Sequence, residues 1–558
     1  MASNGISSLL DISGRALNTQ SQAIRVLGNN IANVNTDGYS RRRVEMSTVE
    51  PTSIGLSALG SGVKIDVISR IVDQFLNNQL EGQMNQRSQA EVQDEFLARA
   101  ETLFSVDGNL PTIGTELSEF FSALEDLTAN PGDVTLRSAV VEAGRELALN
   151  VRTAFEEVAT LQRQADSRLS SAVDKVNSIT QKISDINDNM RGTEYQGQEN
   201  LGLRDQRDQL LRDLSELISF DKFENADGSL NIVLENGFGL VTATGARPLE
   251  YTQSPSFAPV GGFPRGLDGT PLGFVVYDFD QSATASHINL NDVFANGGGE
   301  IAGLLEVRGI QSSTDTTPFD AEGSLVDIAS RIEAIARDLL TRFNRSYVGQ
   351  DENGGAANHQ SSSYDLNDVN GAYTATPVFG LFTFTGATDT AGTIGLAEAA
   401  DLTATGIGTF ADRLQFGVAT AEEFAAGRDL DTATPGTVGR ASGDASNLTG
   451  TTGWLGLNQL RTEVVTYTVG NFTATTTIED LYNQTVSYVG GVRSAAEAEV
   501  TASRDRESQV KEFQNAVSGV SLDEEFAKLI LFQKAFEASA RMIRVGDELL
   551  GEVIGLLG

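Results

Sequence analysis

Leu10, Leu17, Ile24 and Ile31 recur at an interval of seven near the start of the chain, with Ala16 and Ala23 beside them. A seven-residue apolar repeat predicts an amphipathic helix carrying a coiled-coil seam. The end of the chain carries a longer version, in which Leu522, Leu529, Phe536, Ile543, Leu550 and Leu557 keep the same interval. Phe526, Ala540 and Ile554 widen that stripe, while Gln533 and Asp547 interrupt its second row. Gly14 and Gly28 interrupt the first helix, each at a cost of about 1 kcal/mol relative to alanine. Two such ends are expected to be poorly ordered alone and to fold by packing on each other and on neighbouring copies. An intramolecular bundle that only clamps the termini together is the alternative reading of the same pattern.

Between the ends, apolar spacing predicts a helical block from about Ile71 to Ile218. Leu117, Phe120, Leu124 and Leu127 form one stripe, closed by the turn "NPGD" at 130–133. Leu169, Val176, Ile183 and Met190 form a further heptad row, followed after "GTEYQGQENLG" by Leu203, Leu210, Leu214 and Leu217. These rows predict two long helices folded back on each other. A β-rich stretch is expected from Phe220 to about Glu306, where Leu230, Ile232 and Leu234 alternate after an Asp227-Gly228 turn and "FVVYDF" reads as a buried strand. Ser324 opens another helix, with Ile328, Ile332, Ile335, Leu339, Phe343 and Tyr347 at helical spacing.

From about Gly349 to Gly470 the texture turns to Gly, Thr, Ala and Asp, and only Arg413, Arg428 and Arg440 supply cations before Arg461. "VFGLFTF" and "VVTYTV" suggest strands between turns, hence an inserted β domain facing solvent; disorder is the other reading of so polar a composition. Helical pattern resumes near Ile478 and runs through Tyr482, Val489, Val492 and Val500 to Phe513. The fold class expected is α+β and multidomain. Residues 1–45 with 518–558 make a terminal coiled coil, 46–348 with 471–517 a long-helix bundle with β elements, and 349–470 the outer β-rich insert.

A length of 558 residues is enough for several such cores. The net charge of -36 argues against nucleic acid, which is bound by clustered Lys and Arg. Nothing approaches a membrane span, so no membrane insertion is expected. The start lacks a basic segment, and Arg15 interrupts any apolar run, which argues against a cleaved secretory signal. Export, if it occurs, then uses another route.

Chemistry finds little purchase. With no cysteine, thiolate metal sites and cysteine nucleophiles are excluded. His287 and His359 have no adjacent motif and read as surface or turn residues, and "DENGG" at Asp351 lacks the ligand alternation of a calcium loop. "NGFGLVTATG" and "GGGE" read as hairpin turns rather than phosphate cradles, and Trp454 as core. No catalytic residue, cofactor or metal is assigned, and the chain is expected not to be an enzyme.

The stretch "GNNIANVNTDGYSRRR", Gly28 to Arg43, places four asparagines between an apolar stripe and three arginines. Asparagine amides compete for backbone hydrogen bonds and collect at helix ends, so these are expected to close the first helix. Arg41, Arg42 and Arg43 would either pair with carboxylates of neighbouring copies or form a solvated face.

Through Asn29, Asn30, Asn33, Asn35, Thr36, Gly38, Tyr39, Ser40 and Arg41, this stretch resembles the N-terminal signature of the flagellar rod, hook and hook-associated proteins. "GVSLDEEFAKLILFQKAFEASARMI" is similar to their C-terminal signature. "GVKIDVISRIVDQFLNNQL" and "NLGLRDQRDQLLRDLSELI" resemble the hook-associated branch found where hook meets filament. The family usually has proline where this chain has Asp37; an Asp-Gly turn still forms there, with less rigidity.

The resemblance implies a secreted, extracellular axial protein of the bacterial flagellum, exported unfolded through the flagellar type III apparatus with an uncleaved signal. The seams, including Phe526 in the second row, would be the assembly interface of an inner layer. The helical domain would lie in the middle and the insert outside. Implied partners are further copies in a ring, the hook protein, a second junction protein on the filament side, and an export chaperone docking on the stripe from Leu522 to Leu557. A hook or distal rod subunit is the nearest alternative, but the motif TGxxLDxAIxGxGFF that such subunits carry is absent. A hydrolase in the insert and an intracellular coiled-coil protein are more distant readings.

Overall fold

A computed structural model describes residues 2–36, 38–50, 52–54, 57–105, 111–130, 133–193, 200–253, 265–278, 287–310, 315, 317–343, 381–384, 411–417 and 454–557. Helix α1 (Ala2–Ala32) leads into strands β1 (Arg42–Thr48), β2 (Thr52–Ile54), β3 (Ser57–Leu59) and β4 (Val63–Arg70). Helices α2 (Gln74–Thr102), α3 (Ile113–Ala129), α4 (Val134–Thr193) and α5 (Leu201–Leu217) follow. Strands β5 (Asp221–Glu224), β6 (Leu230–Val233), β7 (Gly239–Thr242) and β8 (Gly245–Ala246) make one antiparallel meander. A second sheet, ordered β11-β10-β9, is built from β9 (Leu249–Thr252), β10 (Phe274–Asp278) and β11 (His287–Asn289).

Helices α6 (Asn291–Gly297), α7 (Gly299–Arg308) and α8 (Ser324–Asp338) come next, then the strand pair β12 (Phe382–Phe384) and β13 (Leu414–Phe416). The chain closes with α9 (Trp454–Gln459), the hairpin β14 (Val465–Val469) and β15 (Phe472–Thr476), and the helices α10 (Ile478–Ser518) and α11 (Leu522–Leu557). Helices dominate and the sheets are small, so the fold is α+β.

The spine of the body is α4, sixty residues long. Leu169, Val176, Ile183 and Met190 line one fully enclosed face of it, where their burial offsets the entropy of ordering so long a helix. The expected second long helix is short: α5 has 17 residues, with Leu214 and Leu217 buried and Leu203 and Leu210 half-buried. The long partner pair is instead α2 and α10, antiparallel, since Arg493 meets Glu101 at one end and Gln514 meets Asn77 at the other. Both begin at side-chain caps, Asp73 accepting from the amides of Phe75 and Leu76, and Thr477 from that of Asp480.

Side-chain amides fasten the sheets to α4. Asn187 donates to the Leu230 carbonyl and accepts from its amide at 2.8 and 3.0 Å; Asn177 does the same with Leu249 at 2.8 and 2.7 Å. Each asparagine thus supplies a strand residue with the donor and acceptor that a neighbouring strand would supply. Deeper in, Asp166 and Arg308 form a buried ion pair that also engages the hydroxyl of Tyr251 and the backbone of Gly273.

The β-rich stretch stops earlier than expected, at Asn289, and two helices, Asn291–Gly297 and Gly299–Arg308, follow it. The "GGGE" segment is accordingly no hairpin turn. Gly298 and Gly299, with φ of 89° and 84°, turn α6 into α7, and a side chain on Gly299 would strike the Leu217 carbonyl. "NGFGLVTATG" does form the turns of the β6–β7–β8 meander. In α8, Ile328, Ile332 and Ile335 are fully buried, as are Leu339 and Phe343 in the π-turn that extends it.

Two domain boundaries fall inside hydrogen-bonded elements. The cut between 45 and 46 divides β1, and the cut between 470 and 471 divides the β14–β15 hairpin, whose turn glycine Gly470 (φ 54°) packs on the backbone of Phe319. The helical body therefore takes residues from at least 454 onward. It also takes β12 and β13, because Phe382 and Phe416 join Phe120 and Phe343 in one ring cluster with centroids 5.2 to 6.4 Å apart. Gly144 on α4 leaves the space that the Phe416 ring fills. Most of the 349–470 insert, with Asp351 and His359, lies outside the described residues, as do Tyr347, Asp37 and the side chains of His287 and Trp454.

Candidate functional site

Helix α1 runs without a break through Gly14 and Gly28, neither of which has another atom near its missing side chain. It lies antiparallel to α11: Leu10 stands over Gly546, and Asn30 reaches Glu525. The β1–β4 hairpin covers another side of α1, with the Thr19 hydroxyl donating to the Val63 carbonyl and Gly62 seated against Ile12. The fully buried line of α1 is Ser13, Thr19, Ala23, Val26, Leu27 and Asn30. Leu10, Leu17, Ile24 and Ile31 flank that line, half-buried.

On α11 the seam facing α1 combines the expected row with a different companion row. Leu529, Phe536, Ile543 and Leu550 alternate with Glu525, Phe532, Ser539, Gly546 and Val553, and these residues are buried or half-buried. Leu522 and Phe526 are instead exposed, at 40% and 48%, and the side chain of Leu557 is outside the described set. The row 525–532–539–546–553 escaped sequence reading because an acid, a serine and a glycine occupy three of its positions. Its heptad spacing against Leu529 and Phe536 was the available signal.

The two signatures meet at a corner. Helix α1 ends at Ala32, where Asn33 returns its backbone amide and its side-chain amide to the Asn29 carbonyl, and Thr36 in turn donates to Asn33. Asn33 thus closes the helix as expected, with Asn29 as its acceptor. Asn35 and Thr36 are exposed, Ser40 is half-buried, and Gly38 adopts φ 78°, a left-handed turn that a side chain would strain against Gln209 and Arg212.

Asn30 does something else. Fully buried, it donates to the Arg42 carbonyl at 2.9 Å and to Glu525 Oε2 at 2.8 Å, while its oxygen accepts from the Arg42 amide at 3.0 Å and the Tyr39 hydroxyl at 2.8 Å. All four hydrogen-bonding positions of the amide are used. One side chain ties together a helix, a strand, a turn and the far end of the chain.

Arg41 completes the joint, donating to Glu525 Oε1 at 3.0 Å and to Glu524 at 2.7 Å. The Arg41 guanidinium, by hydrogen bond and charge, holds the Glu524 carboxyl below its ordinary range. Arg42 stacks over the Tyr39 ring and reaches Asp205 on α5, and Arg70 binds Asp205 and Asp208, so the hairpin is fastened to the helical body. Burial, aided by the charges of Asp205 and Glu525, pushes the Tyr39 hydroxyl above its ordinary range against the opposing pull of Arg42. Neither expectation for the arginines describes Arg41 and Arg42, which pair within their own chain; Arg43 alone is exposed, with Glu45. A buried glutamate among apolar helix residues gave Arg41 a partner that composition could not show, and Asp205 on α5 gave one to Arg42.

Among the described residues no group of three or more His, Asp or Glu side chains is placed to hold a metal ion, and no helix is long and apolar enough to cross a membrane. What the geometry defines is a joint between chain ends. Residues 10–39 match the flagella basal body rod protein model, and 514–556 match the C-terminal model of the basal body rod proteins. Residues 97–359 match the helical domain of the flagellar hook-associated protein FlgK.

The chain is 24% identical to flagellar hook-associated protein 1 of Escherichia coli over 99% of its length and 100% of that protein. It is 24% identical to the Bacillus subtilis protein of the same name over 98% of both chains. The flagellar hook junction protein FlgK of Burkholderia pseudomallei shares the fold, with a TM-score of 0.52 at 15% identity, over 79% of this chain and 100% of that one. The protein is thus an axial structural component of the bacterial flagellum, not an enzyme. Within that class it is similar to the hook-associated protein 1 (FlgK) family.

Proposed function

We propose that the protein forms the junction between hook and filament, its copies assembling through the α1–α11 pair into a ring within a helical array. The observation that carries this reading is the outer side of α11. After α1 has covered one face, Phe526, Ile530, Leu531, Met542, Val545, Leu549 and Ile554 remain 41–65% exposed. So many large apolar side chains on one helix are a cost in water and a gain in an interface. Leu10, Leu17, Ile24, Ile31, Leu522, Phe526, Leu529, Phe536, Ile543, Leu550 and Leu557 remain the assembly set, divided between a seam within the copy and a surface between copies. The hook protein on one side and a second junction protein on the other would continue the array. Before assembly the exposed stripe would be held by an export chaperone and passed unfolded through the type III apparatus.

The test is electron microscopy of a strain lacking the gene. Hooks without filaments, with filament subunits shed into the medium, are expected. Filaments still attached to hooks would overturn the junction role.

A further inference from the structure

A cleft of about 690 Å³ opens at the corner, between the signature turn at 33–40, α2, α5 and the end of α10. Leu80 and Met84 give it an apolar floor. Arg212 lines its wall, hydrogen-bonded to Gln209 and with no carboxylate in ion-pair distance among the described residues. That is unusual in a chain of net charge -36, where most cations have found an acid. On α10, beside the lining residues Gln514 and Ser518, Phe513 and Val517 stand 64% and 47% exposed.

The complementary surface lies at the other end of α11. Val545, Glu548, Leu549 and Glu552, at i, i+3, i+4 and i+7, share one helix face and are all exposed. Neither glutamate has a cation in ion-pair distance among the described residues. At 1.5 Å per residue this face is roughly 35 Å along the helix from Phe526 at the corner, so cleft and face cannot meet within one copy.

We propose that the corner cleft receives the distal end of α11 from a neighbouring copy, Leu549 and Val545 packing on Phe513 and Val517 while Glu548 or Glu552 pairs with Arg212. This rests on the reading that copies assemble through their terminal helices, and it names the contact: two different patches, joined head to tail. A heterologous contact of that kind repeats from copy to copy, as an array requires. The signature turn then has a second task beyond ending α1, since it forms one wall of the receptor.

Cysteine pairs test the contact against a background free of thiols, because the chain has none. Val517→Cys with Leu549→Cys, oxidised in isolated flagella, is expected to give cross-linked multimers, and none in dilute monomer. The control Leu10→Cys with Gly546→Cys is expected to close within each copy. Attached filaments with a closed control and no multimers would overturn the docking while leaving the junction role intact. Charge reversal reads the same contact without thiols. Arg212→Glu is expected to lower incorporation into flagella roughly tenfold, the size of one lost interfacial charge pair, and Glu552→Arg or Glu548→Arg to restore it. Failure of both rescues, in a chain whose core melts normally, would equally overturn it.

Discussion

Asn30 and Gly546 show how much single positions decide here. Replacing Asn30 by Asp keeps the size but exchanges two donors for an acceptor, leaving the Arg42 carbonyl unpaired and setting two carboxylates face to face. Burial makes that expensive, roughly 2–4 kcal/mol on the joint, whereas Tyr39→Phe removes one hydrogen bond and costs about 1 kcal/mol. Hydrogen exchange should accelerate in α1 for the first variant and barely for the second; unchanged exchange with Asn30→Asp would disprove the bridging role. The asparagine was legible as a polar interruption of a helix, but its partner is 495 residues away, beyond the reach of any local pattern. Tyrosines supply a pH test. Burial holds Tyr39, Tyr467 and Tyr488 above the ordinary value of 10.0, reinforced at Tyr488 by its bond to Asp327 and at Tyr467 by the Asp338 charge. The folded chain then keeps protons that the unfolded chain releases, so stability is intact below about pH 10 and falls as pH rises past it. Tyrosinate absorbance and the denaturant midpoint, followed together from neutral to alkaline pH, check both halves.

At the scale of elements, the α1–α11 pair depends on close approach as well as on apolar rows. A side chain on Gly546 would meet Leu10 at 2.7 Å, so Gly546→Val is expected to push the helices apart and speed cleavage of the termini relative to the unsubstituted chain, without lowering the melting temperature of the body. Limited proteolysis read by mass spectrometry measures this; full protection of both ends would count against the packing. Phe536→Asp or Ile543→Asp buries a charge in the same half-buried seam and is expected to abolish incorporation into flagella. Normal motility of those variants would remove the seam from the assembly. The heptad row 529–536–543–550 was legible because its residues are all large and apolar. Its companion row, and the asparagines that fasten strands to α4, were not, because their residue types are ambiguous until a partner is beside them.

For the whole molecule, stability is divided unevenly. One continuous hydrophobic core runs from α2 and α3 through α4, α8 and the start of α10, whereas α1 and α11 share a thin, half-buried seam. In dilute monomer the ends up to about Tyr39 and beyond about Ser518 are expected to open and be cut first, around a resistant body. Cleavage within α4 or α8 before the ends would contradict that order. The sequence by itself determined the two terminal helices, the apolar faces of α3, α4 and α8, the absence of thiol chemistry and the resemblance to the flagellar axial proteins. Each is written in residues a few positions apart, where helical period and composition speak directly. Only the tertiary structure decided which seam faces inward, that β12, β13 and the β14–β15 hairpin belong to the helical body, and that Asn30, Arg41 and Glu525 form one joint. Those are matters of which distant groups meet in the folded chain, and a buried polar side chain declares its role only once the partner that satisfies it is in place.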